Sequence, residues 1–397
     1  MQAQPTTNGD AQRRIAVLFG GNSPEHDVSV VTALQVMDAV DPRRFHIVPI
    51  YCDYDGGYIT GQGLRQRSSF SPKPRGKRGH FAWTDFGPGL VCDDGSTEHF
   101  DCVIMAYHGL YGEDGREQAH LDRLGIPFTG FSSLNSALAM RKDVTKDFLA
   151  PTGIPILPHK VFHRPIGAAV PSREEITATL GNLAFPLILK PCSLGSSIGV
   201  ALVKDIDEVE AVLPSILAKD RMVMAEPQVQ NLCEYNVAVR MGPDGPVTSA
   251  IERPKTDADL LDFKEKYLGG ETGGSGGKKG VVAPSEGMLS LTRDINPDLP
   301  QALEDKIRNI AETAFLRLGG RGAPRLDFLF NQSTEELYFN EVNPIPGSFG
   351  HFLWEADKKL PLLFPDLLES LVNEALADSL RGFGDPVPHD ARLLPRR

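Results

Sequence analysis

Two short apolar runs near the start of the chain, Ile15 to Phe19 and Phe45 to Tyr51, set the tightest limit on how it can fold. Each reads as a buried strand, and Gly20 and Gly21 stop the first. The stretch between them reads as a helix. Ser23-Pro24 suits an N-cap followed by proline at the first helical position. Val28, Val31, Leu34 and Met37 supply an apolar face, and Asp41-Pro42 marks the end. A strand–helix–strand order predicts a parallel sheet and an α/β fold.

The same reading extends along the chain. Residues 56–95 are polar and rich in Gly, Pro, Arg and Lys, and read as an excursion from the sheet with a hairpin in it. Asp101 to Tyr107 is the next strand, and His108 to Gly115 is a loop at the carboxyl edge of the sheet, where α/β proteins place ligands. Ser133 to Ala150 is expected as one helix capped by Ser132 or Ser133. Leu187–Pro191 and Val200–Lys204 read as strands joined by a glycine-rich loop, Asp207–Leu217 as a helix and Met222–Glu226 as a strand. Glu234 to Met241 begins a further β region, and Ala302 to Leu318 is an amphipathic helix. Boundaries fall near residues 131 and 227, giving three α/β parts: 1–131, 132–226 and 227–397.

Composition removes several classes of function. With 52 acidic against 41 basic residues the net charge is −11, so a nucleic acid is not an expected partner and a small molecule is. No apolar run approaches the ~18 residues that span a bilayer, and the polar start predicts a tail rather than a signal peptide. Five scattered cysteines without a CxxC pair fit reduced thiols in the cytoplasm, and no HExxH suggests a histidine-based metal site.

Four constellations carry chemistry. In Lys190-Pro-Cys-Ser-Leu-Gly195-Ser196-Ser197-Ile-Gly199 a strand delivers a lysine, and small residues then expose backbone N–H groups that can wrap a polyphosphate. The same run also reads as an ordinary hairpin turn. Arg325-Leu-Asp327 and Glu341-Val-Asn343 sit on two strands of an expected hairpin, and alternation puts Arg325 with Asp327 and Glu341 with Asn343 on common faces. If those faces coincide, oxygen ligands suited to Mg²⁺ converge beside a guanidinium; a solvated salt bridge is the alternative. Asn343-Pro-Ile-Pro-Gly347 is a rigid turn whose Gly347 N–H could serve an oxyanion hole. Lys266-Tyr267 precedes GGETGGSGGKKG, where eight of twelve residues are Gly or Ser, which reads either as a flap over a phosphate site or as a surface insertion.

Taken in order, GGNSPEHDVS, HGLYGEDG, GIPFTG, ALAMRKDVTK, KPCSLGSSIGV, KEKY, RLDF and NEVNPIPG resemble the D-alanine–D-alanine ligase family of ATP-grasp enzymes over residues 14 to 355. The resemblance implies a three-domain ATP-grasp fold with a Rossmann-like N-terminal sheet, a homodimer, and ligation of two D-amino acids through an acyl phosphate. It implies that Lys142 and Lys190 contact the ATP phosphates, with Ser196, Ser197 and Lys266 nearby. Glu226, Gln228 and Val229 would line the adenine hinge, and Glu234 would hold the ribose. Asp327, Glu341 and Asn343 would bind two Mg²⁺ ions, with Mn²⁺ able to replace them. Glu25 would anchor the first amino acid with His108 near it, and Glu25, Ser196 and Tyr267 would form a hydrogen-bonded trio. Arg325 and the Gly347 N–H would stabilise the acyl phosphate and the tetrahedral intermediate.

The chain departs from the family pattern on the acceptor side. Phe352, ahead of Leu353, stands where a small hydroxyl residue helps to bind the second substrate, although Lys266 is present. The flap is longer and richer in glycine, and Pro227 follows Glu226 in the hinge. Synthesis of the D-alanine dipeptide for the cell wall is therefore expected, with a ligase for another acceptor, such as D-lactate or D-serine, as the alternative that Phe352 favours. A non-catalytic ATP-binding scaffold would not need Asp327, Glu341, Asn343 and Arg325 intact.

Overall fold

A computed structural model describes residues 12–70, 74–165, 170–195, 197–255 and 293–380. Strand β1 (Arg13–Gly20) pairs in parallel with β2 (Phe45–Cys52), Ile15 opposite Ile47. Both strands are nearly continuously buried, as expected of a parallel sheet covered on two faces. Helix α1 (His26–Ala39) connects them. Strands β3 (Tyr58–Thr60), β4 (Lys77–Thr84), β5 (Gly87–Cys92) and β6 (Thr97–His99) then continue the sheet in antiparallel fashion. β7 (Cys102–Met105) returns to pair in parallel with β1, giving the order β6-β5-β4-β3-β2-β1-β7. The described residues of 56–95 thus widen the sheet instead of leaving it. The expected hairpin is β4–β5.

Helix α1 buries a different stripe from the one expected. Val30, Ala33, Val36 and Met37 face the core, whereas Val31 is 45% exposed and Val28 and Leu34 are half-buried. Two buried polar residues share the inward side of the helix: Ser29, which accepts the His108 N–H (2.8 Å), and Thr32, which meets a distant turn described below. The helix also begins later than Ser23-Pro24 suggests. Its N-cap position is Glu25, whose backbone N–H donates to Ser23 Oγ (3.1 Å).

Helix α2 (Arg116–Arg123) follows the 108–115 loop. The single helix expected over 133–150 is two, α3 (Ser133–Met140) and α4 (Lys142–Leu149), parted at Arg141, whose ψ of 99° is extended. Ser132 caps the first by accepting from the Asn135 N–H, while Arg141 chelates Asp143. The break starts a new helix at Lys142 and so aims that lysine at the site.

A four-stranded antiparallel sheet of order β10-β9-β11-β8 comprises β8 (Lys160–His163), β9 (Leu187–Pro191), β10 (Ala201–Val203) and β11 (Met222–Pro227). Helices α5 (Arg173–Leu180) and α6 (Ile206–Leu217) cover it through Ile176, Leu180, Val209, Leu213 and Ile216. A Ser172–Glu175 capping box starts α5.

The third sheet, in order β14-β13-β12-β15-β16, holds β12 (Leu232–Gly242), β13 (Gly245–Pro254), β14 (Arg293–Ile295), β15 (Arg325–Asn331) and β16 (Glu336–Asn343). Leu326, Phe328, Leu337 and Phe339 on one face pack with Ile307, Ala311 and Phe315 of α7 (Gln301–Arg317). Alternation leaves the opposite face polar. A tight turn at 347–350 leads into α8 (His351–Glu355). The final helix α9 (Phe364–Leu380) then returns to the first sheet, where Leu367, Leu368, Leu371 and Val372 join the core of β1, β2 and β7.

Candidate active site

The β15–β16 register decides whether the two polar faces coincide. Arg325 lies opposite Asn343 and Asp327 opposite Glu341, so all four side chains share the face away from α7. Arg325 chelates Asp327 with two 2.7 Å hydrogen bonds, and Asn343 Nδ2 donates to Asp327 Oδ2 (2.9 Å). The row continues across the sheet. Asn236 of β12 is opposite Asp327, with its amide 3.2 Å from Asp327 Oδ1, and Glu252 of β13 is opposite Asn236.

Three lysines face this row. Lys142, at the start of α4, lies 3.1 Å from Glu341 and donates to the Leu194 carbonyl (2.8 Å), tying the β9–β10 loop to the third sheet. Lys190 of β9 is 2.5 Å from Glu226 Oε1 and donates to Asn340 Oδ1 (2.9 Å). Lys146 pairs with the other oxygen of Glu226. Burial opposes charge on all these groups, and the partners decide the outcome. Burial alone would raise the Glu226 carboxyl, yet Lys190 and Lys146 hold it at about 2. Glu341 is likewise held low by Lys142 against its burial, and Glu341 in turn keeps Lys142 above its usual value. Burial dominates at Lys146 and pushes it down to about 8.

Glu25 closes another side. Its carboxylate lies so near two glycines that a Cβ on Gly109 would sit 2.6 Å from Oε2 and one on Gly195 3.2 Å from Oε1. Side chains at either position would displace it, so the glycines bring the first sheet's loop and the β9–β10 loop together around this carboxylate. Those two loops and Met140 line a shared crevice.

The 347–350 turn is built on left-handed residues, Ser348 (φ 51°), Phe349 (φ 56°) and Gly350 (φ 59°). It docks on α1. The Ser348 N–H donates to Thr32 Oγ1 (3.1 Å), and Ser348 Oγ donates to Gln35. His108 reaches the same Thr32 oxygen through Nε2 (2.9 Å). Burial lowers His108 to about 4, so it is neutral at physiological pH. It forms the wall behind the site and supplies no charge.

Other expected residues are distributed as follows. Gly347 is exposed at the start of the turn, and a Cβ there would meet nothing within 4 Å. Ser197 is exposed in the β9–β10 loop. Gln228 donates its N–H to the Pro186 carbonyl (2.9 Å), Val229 is 9% exposed, and Glu234 is half-buried on β12 opposite Leu329. Phe352 is half-buried, and the Leu353 side chain is fully enclosed in the core of the first sheet. Its α8 position turns it inward, a consequence of helical rather than extended backbone. Ser196, Lys266, Tyr267 and the glycine-rich run lie outside the described residues.

Lys146 and Glu113 are among the charged residues that sequence reasoning passed over. Lys146 was legible as the i+4 neighbour of Lys142 on one helix face. Glu113 accepts the Gly109 N–H (2.6 Å) and the Ile345 N–H (3.0 Å), joining the loop after β7 to the turn after β16. No local pattern marks that second contact.

A family model described as D-ala D-ala ligase N-terminus matches residues 14–131, and one described as D-ala D-ala ligase C-terminus matches residues 148–373. The chain belongs to the D-alanine–D-alanine ligase family. It is 32% identical over 348 residues to the D-alanine–D-alanine ligase of Chlorobium limicola, covering 84% of this chain and 88% of that protein. Among solved structures, the VanG D-Ala:D-Ser ligase from Enterococcus faecalis matches at a TM-score of 0.74 and 25% identity, over 92% of this chain and 100% of that one. The D-alanine–D-alanine ligase from Coxiella burnetii matches at 0.73 and 23% identity, over 93% and 95%, a likeness of fold. Among the described residues, the enzyme's KPCSLG, RLDF and NEVN motifs therefore meet where the second and third sheets face each other, through Lys142 and Lys190.

Proposed function

We propose that the enzyme condenses two D-alanine molecules, with conversion of ATP to ADP and phosphate, in the synthesis of peptidoglycan precursors. The observation that carries this reading is the Arg325–Asp327 and Asn343–Glu341 face met by Lys142 and Lys190 from the other side of the cleft. Lysines and an arginine balanced by carboxylates suit a polyphosphate and its counter-ion, which can exchange with these internal pairs.

A carboxylate resists attack by an amine, so the donor's oxygen first takes the γ-phosphoryl group, releasing ADP. The acceptor amine then attacks the carbonyl carbon and phosphate leaves. Lys142 and Lys190 would hold the phosphates, Glu25 the donor ammonium, and Arg325 with the Gly347 N–H the charge that develops on oxygen. Glu226, Gln228, Val229 and Glu234 would take the nucleoside. Asp327, Glu341 and Asn343 offer the hard oxygen donors that Mg²⁺ prefers, and the bound ion would neutralise charge on the transferring phosphoryl group.

Among the described residues no helix is long and apolar enough to cross a membrane, and all five cysteines are free. We place the enzyme in the cytoplasm, where ATP is supplied, as a homodimer of three-part subunits divided near residues 131 and 227. The test is phosphate release from ATP and Mg²⁺ with D-alanine, D-serine and D-lactate, with product masses. The D-alanine dipeptide is expected with D-alanine alone; turnover confined to mixed pairs would refute the acceptor assignment. Arg325→Ala should lower kcat by roughly 10²–10³.

A further inference from the structure

Condensation consumes one carboxylate and leaves the acceptor's own carboxylate free, in a cleft already lined with acids. That group needs a cation with donors to spare. Among the described residues of the site face, Lys142, Lys146, Lys190 and Arg325 are each matched to Glu341, Glu226 or Asp327. Arg293 is differently placed. It lies on edge strand β14 two residues before Ile295, which is opposite Glu252, so alternation points Arg293 to the same face as Glu252, Asn236, Asp327 and Glu341.

Arg293 Nη1 lies 2.9 Å from Glu252 Oε1, and its guanidinium carbon sits 4.8 Å from the centre of the Phe352 ring. A guanidinium on a ring face keeps its five N–H donors in plane and available at the edges. The pair is also not closed. Among the described residues, Arg293 Nε and Glu252 Oε2 are buried without hydrogen-bond partners, while the Arg293 side chain as a whole is 29% exposed. Phe352 stands just beyond the turn that begins at Gly347, so Arg293 bridges the acidic face and that turn.

Resting on the ligase reading, we propose that Arg293 binds the free carboxylate of the acceptor amino acid, with Glu252 and Phe352 as the positioning residues that hold its guanidinium. The aromatic residue at 352 then has a use: it is the platform for a cation supplied by another strand.

The test is a competition assay on the full-length enzyme with ATP, Mg²⁺, D-alanine, and D-alaninamide as an acceptor without a free carboxylate, products being resolved by mass. The wild type should favour the D-alanine dipeptide strongly. Arg293→Gln should lower kcat/KM for D-alanine as acceptor by roughly ten- to a hundredfold, mainly through KM, and change that for D-alaninamide little. Arg293→Lys should restore part of the preference, and an unchanged KM for ATP and an unchanged unfolding midpoint would report an intact fold. Equal loss with both acceptors, or an unchanged preference in Arg293→Gln, would overturn the assignment. If the wild type released no phosphate with either acceptor, the ligase reading would fall and this proposal with it.

Discussion

Lys146 lies in the most enclosed position of any charged side chain in the site, with no measurable exposure, and among the described residues it pairs with a carboxylate that is itself 2% exposed. Burial of charges in this manner is weak evidence for stability, because desolvation offsets much of the attraction. Its effect is geometric. Two lysines on the two oxygens of Glu226 fix the carboxylate's plane and thereby the end of Lys190. Lys146→Met would leave Glu226 with one cation. We expect a loss of stability on the order of 3 kcal/mol and a higher KM for ATP with a smaller change in kcat. Denaturant titration and nucleotide-saturation kinetics measure the two effects, and an unchanged KM would refute the positioning role.

Helix α1 and the 347–350 turn form the decisive contact between elements distant in sequence. Ser29 and Thr32 are buried polar residues on a helix that would otherwise present Val28 or Val31 there. Thr32 Oγ1 receives the Ser348 N–H and meets His108 Nε2, so a single hydroxyl organises a left-handed turn and a buried imidazole. Thr32→Val keeps the shape but removes both bonds. We expect a cost of about 1–3 kcal/mol from the unsatisfied groups. Because the turn carries Gly347, kcat should fall as well, while KM for ATP holds. Thermal unfolding and initial rates would check this; full activity in a destabilised variant would show that the turn keeps its geometry without α1.

The whole molecule is stitched by α9, which carries residues of the last quarter of the chain into the core of the first sheet. Its stability should also depend on pH through that sheet's flank. Glu117 of α2 is 8% exposed, accepts from the Tyr58 hydroxyl (2.7 Å), and is pushed up to about 7 by burial. In the unfolded chain such a carboxyl titrates near ~4.3. The folded state therefore holds the extra proton between these values. Glu117's contribution is complete below the unfolded value and is lost as pH rises through about 7. Relative to wild type, Glu117→Gln should flatten the decline in unfolding free energy between about pH 4 and 7, by on the order of 3 kcal/mol. Parallel curves for the two proteins would show that Glu117 does not titrate in this range.

Local patterns in the chain were enough to specify much of this molecule. Period-two alternation in RLDF and NEVN put Arg325 with Asp327 and Glu341 with Asn343, and glycine and proline marked where strands stop, because strand geometry and backbone sterics act over a few residues. What these patterns could not specify were contacts made across large sequence separations. The Lys190–Asn340 contact, the Glu113–Ile345 hydrogen bond and the return of α9 to β1 each join segments whose meeting depends on the packing of whole elements. The same holds for the rotation of α1. Its apolar spacing allowed two stripes, and two buried hydroxyls selected between them: Ser29, which takes the His108 N–H, and Thr32, which takes the Ser348 N–H 316 residues away. Helical periodicity states which residues share a face; burial and hydrogen-bond satisfaction in the folded chain state which face turns inward.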